Sequence, residues 1–139
     1  MKATIDDLRM IRFPRFADAS GALTVFPDEG EQALGMPIKR VFAVSGVPAG
    51  GRRGDHAHRW CTQAVVCLQG RVTITLDDAR RTTSIVLDDP GLGVSIPPGI
   101  WNQLIFDGPD TAIIVFCDKA YDEADYLRDR AAYEQLRGA

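Results

Sequence analysis

Between residues 39 and 118 the chain is divided into short β-rich runs by strong turn signals, and this rhythm is what most limits the folds open to it. The runs read KRVFAVSGV, CTQAVVCLQ, RVTITLDD, TTSIVLDD, GVSIPP, WNQLIF and TAIIVFC. Between them lie Pro48-Ala49-Gly50-Gly51, Gly70, Asp77-Asp78, Asp88-Asp89-Pro90-Gly91, Pro97-Pro98-Gly99 and Asp107-Gly108-Pro109-Asp110. In RVTITLD, Val72, Ile74 and Leu76 point one way and Thr73, Thr75 and Asp77 the other, the alternation of a strand with one buried face. Short strands at regular spacing predict an all-β sandwich or small barrel. One more strand is expected near residues 22–26. The tail YDEADYLRDRAAYEQLR is rich in helix formers and predicts a C-terminal helix with Asp122 as its N-cap and Leu127 and Ala131 facing the barrel. No repeat, low-complexity segment or linker breaks the chain, so residues 1–139 read as one domain.

A chain of 139 residues can bury roughly two-thirds of its unfolded surface, enough for a true core. Its 19 acidic and 16 basic residues give a net charge of -3, which leaves no basic surface for nonspecific nucleic-acid binding and favours a small-molecule partner. The opening MKATIDDLRM lacks the apolar core of a signal peptide, and no apolar run approaches the roughly 18 residues of a membrane span. A cytoplasmic protein with no membrane partner is therefore expected. Cys61, Cys67 and Cys117 form no CxxC pair and read as reduced packing residues, with Cys61 singled out because it lies close to the histidines.

The chain has two histidines, and they are two residues apart. On an extended strand His56 and His58 project from the same face, as paired metal ligands often do. Spacing sharpens the question. Gly50, His56, His58, Gln63 and Gly70, followed by Gly91, Pro97, Gly99 and Asn102, reproduce the two cupin motifs G-x5-H-x-H-x4-E-x6-G and G-x5-P-x-G-x2-H, except at two ligand positions. Gln63 replaces the glutamate and Asn102 the last histidine. Neutral amides are poor ligands for a transition metal, so the scaffold is expected without its metal. Imidazole titrates near neutral pH, and general acid–base work is the leading use of the pair, beside an unusual metal site or a purely structural role.

RRGDHAHR, QAVVCLQGRVTITLDD, GLGVSIPPGIWNQL and YDEADYLRDRAAYEQL together resemble the nucleotide-sugar 3,4-ketoisomerases, the WxcM-like cupins of deoxysugar biosynthesis. The likeness runs from about residue 39 to 136, with a weaker echo in DASGALTVF. It implies a cupin-type double-stranded β-helix, a jelly-roll barrel with a C-terminal helix. The expected protein is a homodimer with exchanged N-terminal strands, acting without cofactor on a dTDP-4-keto-6-deoxyhexose. By the same resemblance His58 is the first choice for proton carrier, with His56 beside it. Arg53, Arg40 and Arg59 are candidate contacts to the diphosphate or the enediolate, since guanidinium binds such oxygens in pairs. Gln63 and Asn102 join them as substrate contacts. Trp101 could stack on the sugar or base, or close the core.

The chain departs from the family pattern in several places. Phe42 and Ala43 stand where members have tyrosines after the Lys-Arg pair, Ser20 replaces an arginine, Thr62 a glutamate, and Asn102-Gln103 a His-Glu. Without the phenol, two other classes stay open: a noncatalytic cupin that binds a nucleotide sugar or similar anion, and a catalyst altered in substrate. A metal-dependent cupin and an epimerase acting at C3 and C5 are the remaining alternatives.

Overall fold

The computed structural model describes residues 2–138. Two antiparallel five-stranded sheets enclose the main apolar core. In spatial order the first contains β1 (Arg9–Arg12), β9 (Leu92–Ile96), β6 (Gln63–Gln69), β11 (Ala112–Cys117) and β4 (Arg40–Ser45). The second contains β12 (Tyr126–Leu127), β5 (Arg52–His58), β10 (Trp101–Phe106), β7 (Val72–Asp77) and β8 (Thr82–Leu87). From β5 to β11 the chain passes back and forth between the sheets, with only the β7–β8 hairpin staying within one, which is the jelly-roll course of the cupin barrel. The sheets are not joined into a closed hydrogen-bonded cylinder. A separate hairpin of β2 (Arg15–Asp18) and β3 (Gly21–Thr24) accounts for the strand expected near 22–26.

All seven strand-like runs form strands, and their alternation decides what lies inside. Val72, Ile74 and Leu76 are fully buried, while Thr73, Thr75 and Asp77 are half-buried on the opposite face. Strand β6 differs, because Gln63 through Cys67 are all buried. Val65 and Cys67 face the inter-sheet core, whereas Ala64 and Val66 are covered from outside by Ile11, Phe13 and Leu34 of the N-terminal segment. That segment carries β1, a strand sequence reading did not expect there. Its RMIR has a single buried residue, Ile11, and only pairing with β9 makes it a strand. Gly70, which ends the first motif, has φ +77, and a Cβ there would lie 2.4 Å from Thr111 Oγ1. Only glycine fits this turn.

The C-terminal expectation needs correction. Asp122 does act as an N-cap, its carboxylate accepting from the Ala124 N–H at 3.0 Å, but it caps a single 3-10 turn, Glu123–Asp125. The chain then extends as β12 along the edge of β5, with Tyr126 opposite His58 and Leu127 opposite Ala57. The helix α1 begins only at Arg130, runs to Leu136 and is capped by Asp129. Leu127 is buried as expected, but from a strand; Ala131 is exposed, and Tyr133 fills the inner face of the helix instead. Edge pairing with β5 requires extended backbone at 126–127, which overrides helix propensity there. Among the described residues no helix is long and apolar enough to cross a membrane.

Candidate functional site

The two sheets part at one end around a cavity of about 400 Å³, within the range of small-molecule sites. Its inner wall is apolar, with Val44, Val65, Ile96, Leu104, Ile113 and Val115. Polar groups converge from four strands: His56 from β5, Gln63 from β6, Asn102 from β10 and Tyr126 from β12. Three exposed arginines, Arg52, Arg53 and Arg128, complete the lining.

A bulge in β5 aims these side chains. Asn102 pairs with His56 and Gln103 with Gly54, so Asp55 is the extra residue, held at φ +59. Gly54 sits at φ +88, and a Cβ on it would meet Asn102 Oδ1 at 2.7 Å, so glycine makes room for the amide. Beyond the bulge His56 and His58 share a face, with ring centroids 5.0 Å apart and planes nearly perpendicular.

The two histidines are not equivalent. His56 lines the cavity, while His58 is 4% exposed and stands outside the lining. His58 Nδ1 lies 2.7 Å from Asp125 Oδ2. A carboxylate has no proton to give, so the imidazole holds its proton on Nδ1 and keeps Nε2 bare; that nitrogen is buried and has no partner. Asp125 is fixed in turn, its Oδ1 accepting from the backbone N–H groups of Trp60 at 2.6 Å and Cys61 at 3.4 Å. Burial lowers the basicity of both rings. At His56 burial and the neighbouring His58 bring the pKa down to about 4. At His58 burial also dominates, but the hydrogen bond and charge of Asp125 oppose the fall.

Tyr126 joins the two rings, its own ring lying 4.5 Å from His58 and 5.0 Å from His56. Its hydroxyl accepts a hydrogen bond from Arg40 Nη2 at 3.2 Å, and the Arg128 guanidinium stacks on it at 4.4 Å. Arg40 also points Nη2 at Cys117 Sγ, 3.7 Å away, and Gln63 Nε2 approaches the same sulfur at 3.6 Å. The neighbouring Cys61 thiol, together with Arg40 and Gln63, holds the Cys117 thiol below the ordinary cysteine range despite its burial. All three cysteines are free and buried.

Of the residues expected at the site, His56, Arg53, Gln63 and Asn102 line the cavity, with His58 directly behind. Three do not reach it. Arg40 supports Tyr126 from outside the lining, and Arg59 is exposed elsewhere on the surface. Trp101 alternates with Asn102 along β10 and so faces away, packing on Tyr133 at 5.3 Å beneath the helix. Sequence reading missed Asp125, Tyr126 and Arg128, all from a tail read as plain helix. An acid followed directly by the strand-like pair Tyr126-Leu127 was the available signal.

The cavity does not suit a metal. At the motif's four ligand positions it offers one half-buried imidazole and two neutral amides, and the remaining histidine is committed to Asp125. Ligand atoms of His58, Cys61 and Asp125 do lie within 4.8 Å of one another. Both oxygens of that carboxylate are already engaged by His58 and by backbone N–H groups, which accounts for the cluster without an ion.

Comparison with known proteins agrees with this architecture. Residues 6–138 match the family described as FdtA: WxcM-like, C-terminal. A TDP-4-oxo-6-deoxy-alpha-D-glucose-3,4-oxoisomerase of Aneurinibacillus thermoaerophilus is 32% identical over 120 residues, covering 86% of this chain and 85% of the relative. The fold superposes on QdtA, a sugar 3,4-ketoisomerase of Thermoanaerobacterium thermosaccharolyticum solved in complex with TDP, with a TM-score of 0.88, 32% identity and 97% of each chain covered. An RmlC epimerase of Mycobacterium tuberculosis shares the fold alone, at 18% identity, a TM-score of 0.76, and coverage of 90% of this chain and 70% of the epimerase. The chain belongs to the FdtA/WxcM-like family of nucleotide-sugar 3,4-ketoisomerases.

Proposed function

We propose that this protein moves the ketone of a dTDP-4-keto-6-deoxyhexose from C4 to C3, without a metal, in deoxysugar biosynthesis. The His58–Asp125 pair carries this reading, because it supplies the base the chemistry requires. A proton must leave C3, an enediolate must form, and a proton must return at C4. Asp125 holds the His58 Nδ1–H and stabilises the imidazolium that forms, leaving Nε2 for the carbon-bound proton, the logic of a histidine oriented by a carboxylate. His56 lies beside His58 and lines the cavity, where it supplies a hydrogen bond to the sugar or the second proton transfer. Gln63 and Asn102 reach the sugar oxygens, while Arg53, with Arg52 and Arg128, faces the diphosphate.

The same reading includes a homodimer with exchanged N-terminal strands. Phe16 and Leu23 face each other across the β2–β3 hairpin at 64% and 62% exposure, an apolar pair that a second copy would cover. The substrate is a charged diphosphate that crosses no membrane unaided, which supports a cytoplasmic enzyme.

Proton NMR of dTDP-4-keto-6-deoxyglucose with the protein in deuterated buffer, with and without a chelator, tests the reading. The expected result is loss of the C3 proton signal and growth of a 3-keto product, unchanged by chelator. Line broadening that shows binding, without exchange at C3, would mean a binding protein or a catalyst for another sugar.

A further inference from the structure

The isomerisation turns a carbonyl into a hydroxyl at C4 and a hydroxyl into a carbonyl at C3, so the two oxygens exchange a proton as well as the two carbons. Few groups on this cavity wall can both give and take one. Arginine stays protonated, and the amides of Gln63 and Asn102 donate hydrogen bonds but do not titrate. Among the described residues no serine, threonine, aspartate or glutamate lines the cavity. Among the described residues the titratable groups of the lining that can change protonation state are His56 and Tyr126.

Resting on the reading above, we infer that the Tyr126 hydroxyl is the acid and base for the substrate oxygens. Its hydrogen bond from Arg40 occupies the oxygen and leaves the phenol's own proton free to point elsewhere. Arg128 lies over the ring, 4.4 Å from its centroid, so two guanidinium groups flank the phenol. Location supports the assignment. Tyr126 pairs with His58 across β12 and β5 and touches both imidazoles, so the oxygen relay runs beside the carbon relay. Arg40 also lies 5.3 Å from the centroid of Phe42, which lines the cavity. Arg40 thus touches both the Tyr126 hydroxyl and the ring of Phe42, the residue that stands where the family pattern has a tyrosine.

The step balances without a further reactant. His58 takes the C3 proton, the C–H electron pair becomes the C3=C4 bond, and the carbonyl pair moves to O4, which takes the phenolic proton. The phenolate then removes the proton from O3, the C3=O bond forms, and C4 takes its proton from the His58 imidazolium. Both side chains return to their starting states.

The test uses the full-length protein with dTDP-4-keto-6-deoxyglucose. Tyr126→Phe is expected to lower kcat about 100-fold while leaving the Kd for TDP and the melting midpoint unchanged. Site-specific 3-fluorotyrosine at 126 keeps the ring and acidifies the phenol, and the alkaline limb of the pH–rate profile should move to lower pH. This second protein carries the test if Tyr126→Phe does not fold. A Tyr126→Phe enzyme within about threefold of wild-type kcat, or an alkaline limb unmoved by fluorination, overturns the assignment. Wild-type protein that binds TDP but turns nothing over overturns the functional reading itself, and that result comes before any variant is made.

Discussion

Two buried aspartates, one at each side of the second sheet, show how the same side chain serves different ends. Asp78 lies in the turn after β7 and is 2% exposed; Asp125 lies in the 3-10 turn before β12 and is 4% exposed. Asp78 accepts only from backbone, its Oδ1 from the N–H groups of Arg80 at 2.9 Å and Arg81 at 2.8 Å, its Oδ2 from Ile5 at 3.0 Å. It ties the N-terminal segment to the β7–β8 turn and has nothing left to give. Asp125 satisfies one oxygen on backbone in the same way, but turns the other onto an imidazole whose far nitrogen is bare. A buried acid that faces only backbone is a fastener. One that faces a half-satisfied histidine beside a cavity is part of a reaction.

The largest effect that separates the two comes from replacing each by asparagine. At Asp125 the amide keeps its carbonyl on the Trp60 N–H and presents its NH2 to His58 Nδ1. That nitrogen must then accept, the ring proton moves to Nε2, and the base is lost with the geometry intact. Turnover of dTDP-4-keto-6-deoxyglucose is expected to fall about 1,000-fold, within the span of general acid–base catalysis. Asp78→Asn should leave kcat per folded molecule unchanged. Equal losses in both variants, measured side by side, would erase the distinction.

How much of this was legible in the sequence follows the same division. The strands of residues 39–118 could be read because alternation and turn residues are local signals, and Val72, Ile74 and Leu76 fell where their period put them. The glycines of the two motifs marked real backbone constraints, as at Gly70. What failed was decided by partners far away in the chain. RMIR becomes a strand only against β9, and Tyr126-Leu127 leaves the helical pattern only because β5 offers an edge. Asp125 meets His58 across 67 residues of sequence, a pairing no local window contains. Trp101 and Asn102 are neighbours in sequence, yet strand alternation sends one to the helix and the other to the cavity.

The next effect is on stability and runs the other way. Asparagine at 78 can keep its carbonyl on Arg80 and Arg81, but its NH2 then faces the Ile5 N–H, donor against donor. Urea unfolding should show a loss of about 1–3 kcal/mol, the cost of one unsatisfied buried donor. Asp125→Asn, with each group still paired, should lose less. The reverse order would mean that the dyad, and not the Asp78 turn, holds the tail and the barrel together.

The smallest effect is the acid dependence of that stability, and its sign is fixed by the direction of the shift. Burial raises the Asp78 pKa, but the backbone N–H groups of Arg81, Ile5 and Arg80 outweigh it and hold the carboxyl down to about 2, against about 3.9 for an unfolded aspartate. A group depressed on folding contributes stability above its unfolded pKa and loses it as the pH falls through the folded one. The contribution is therefore complete above about pH 4, declines between there and about pH 2, and amounts to about 2 kcal/mol. Asp78→Asn removes this titration, so its stability curve should be flatter than that of the parent across the same interval. Urea midpoints taken every half unit of pH would show the two curves converging as the pH falls. Parallel curves would mean that the carboxylate is held no more firmly in the folded chain than in the unfolded one, and the fastening role would pass to the Arg81–Asp6 ion pair beside it.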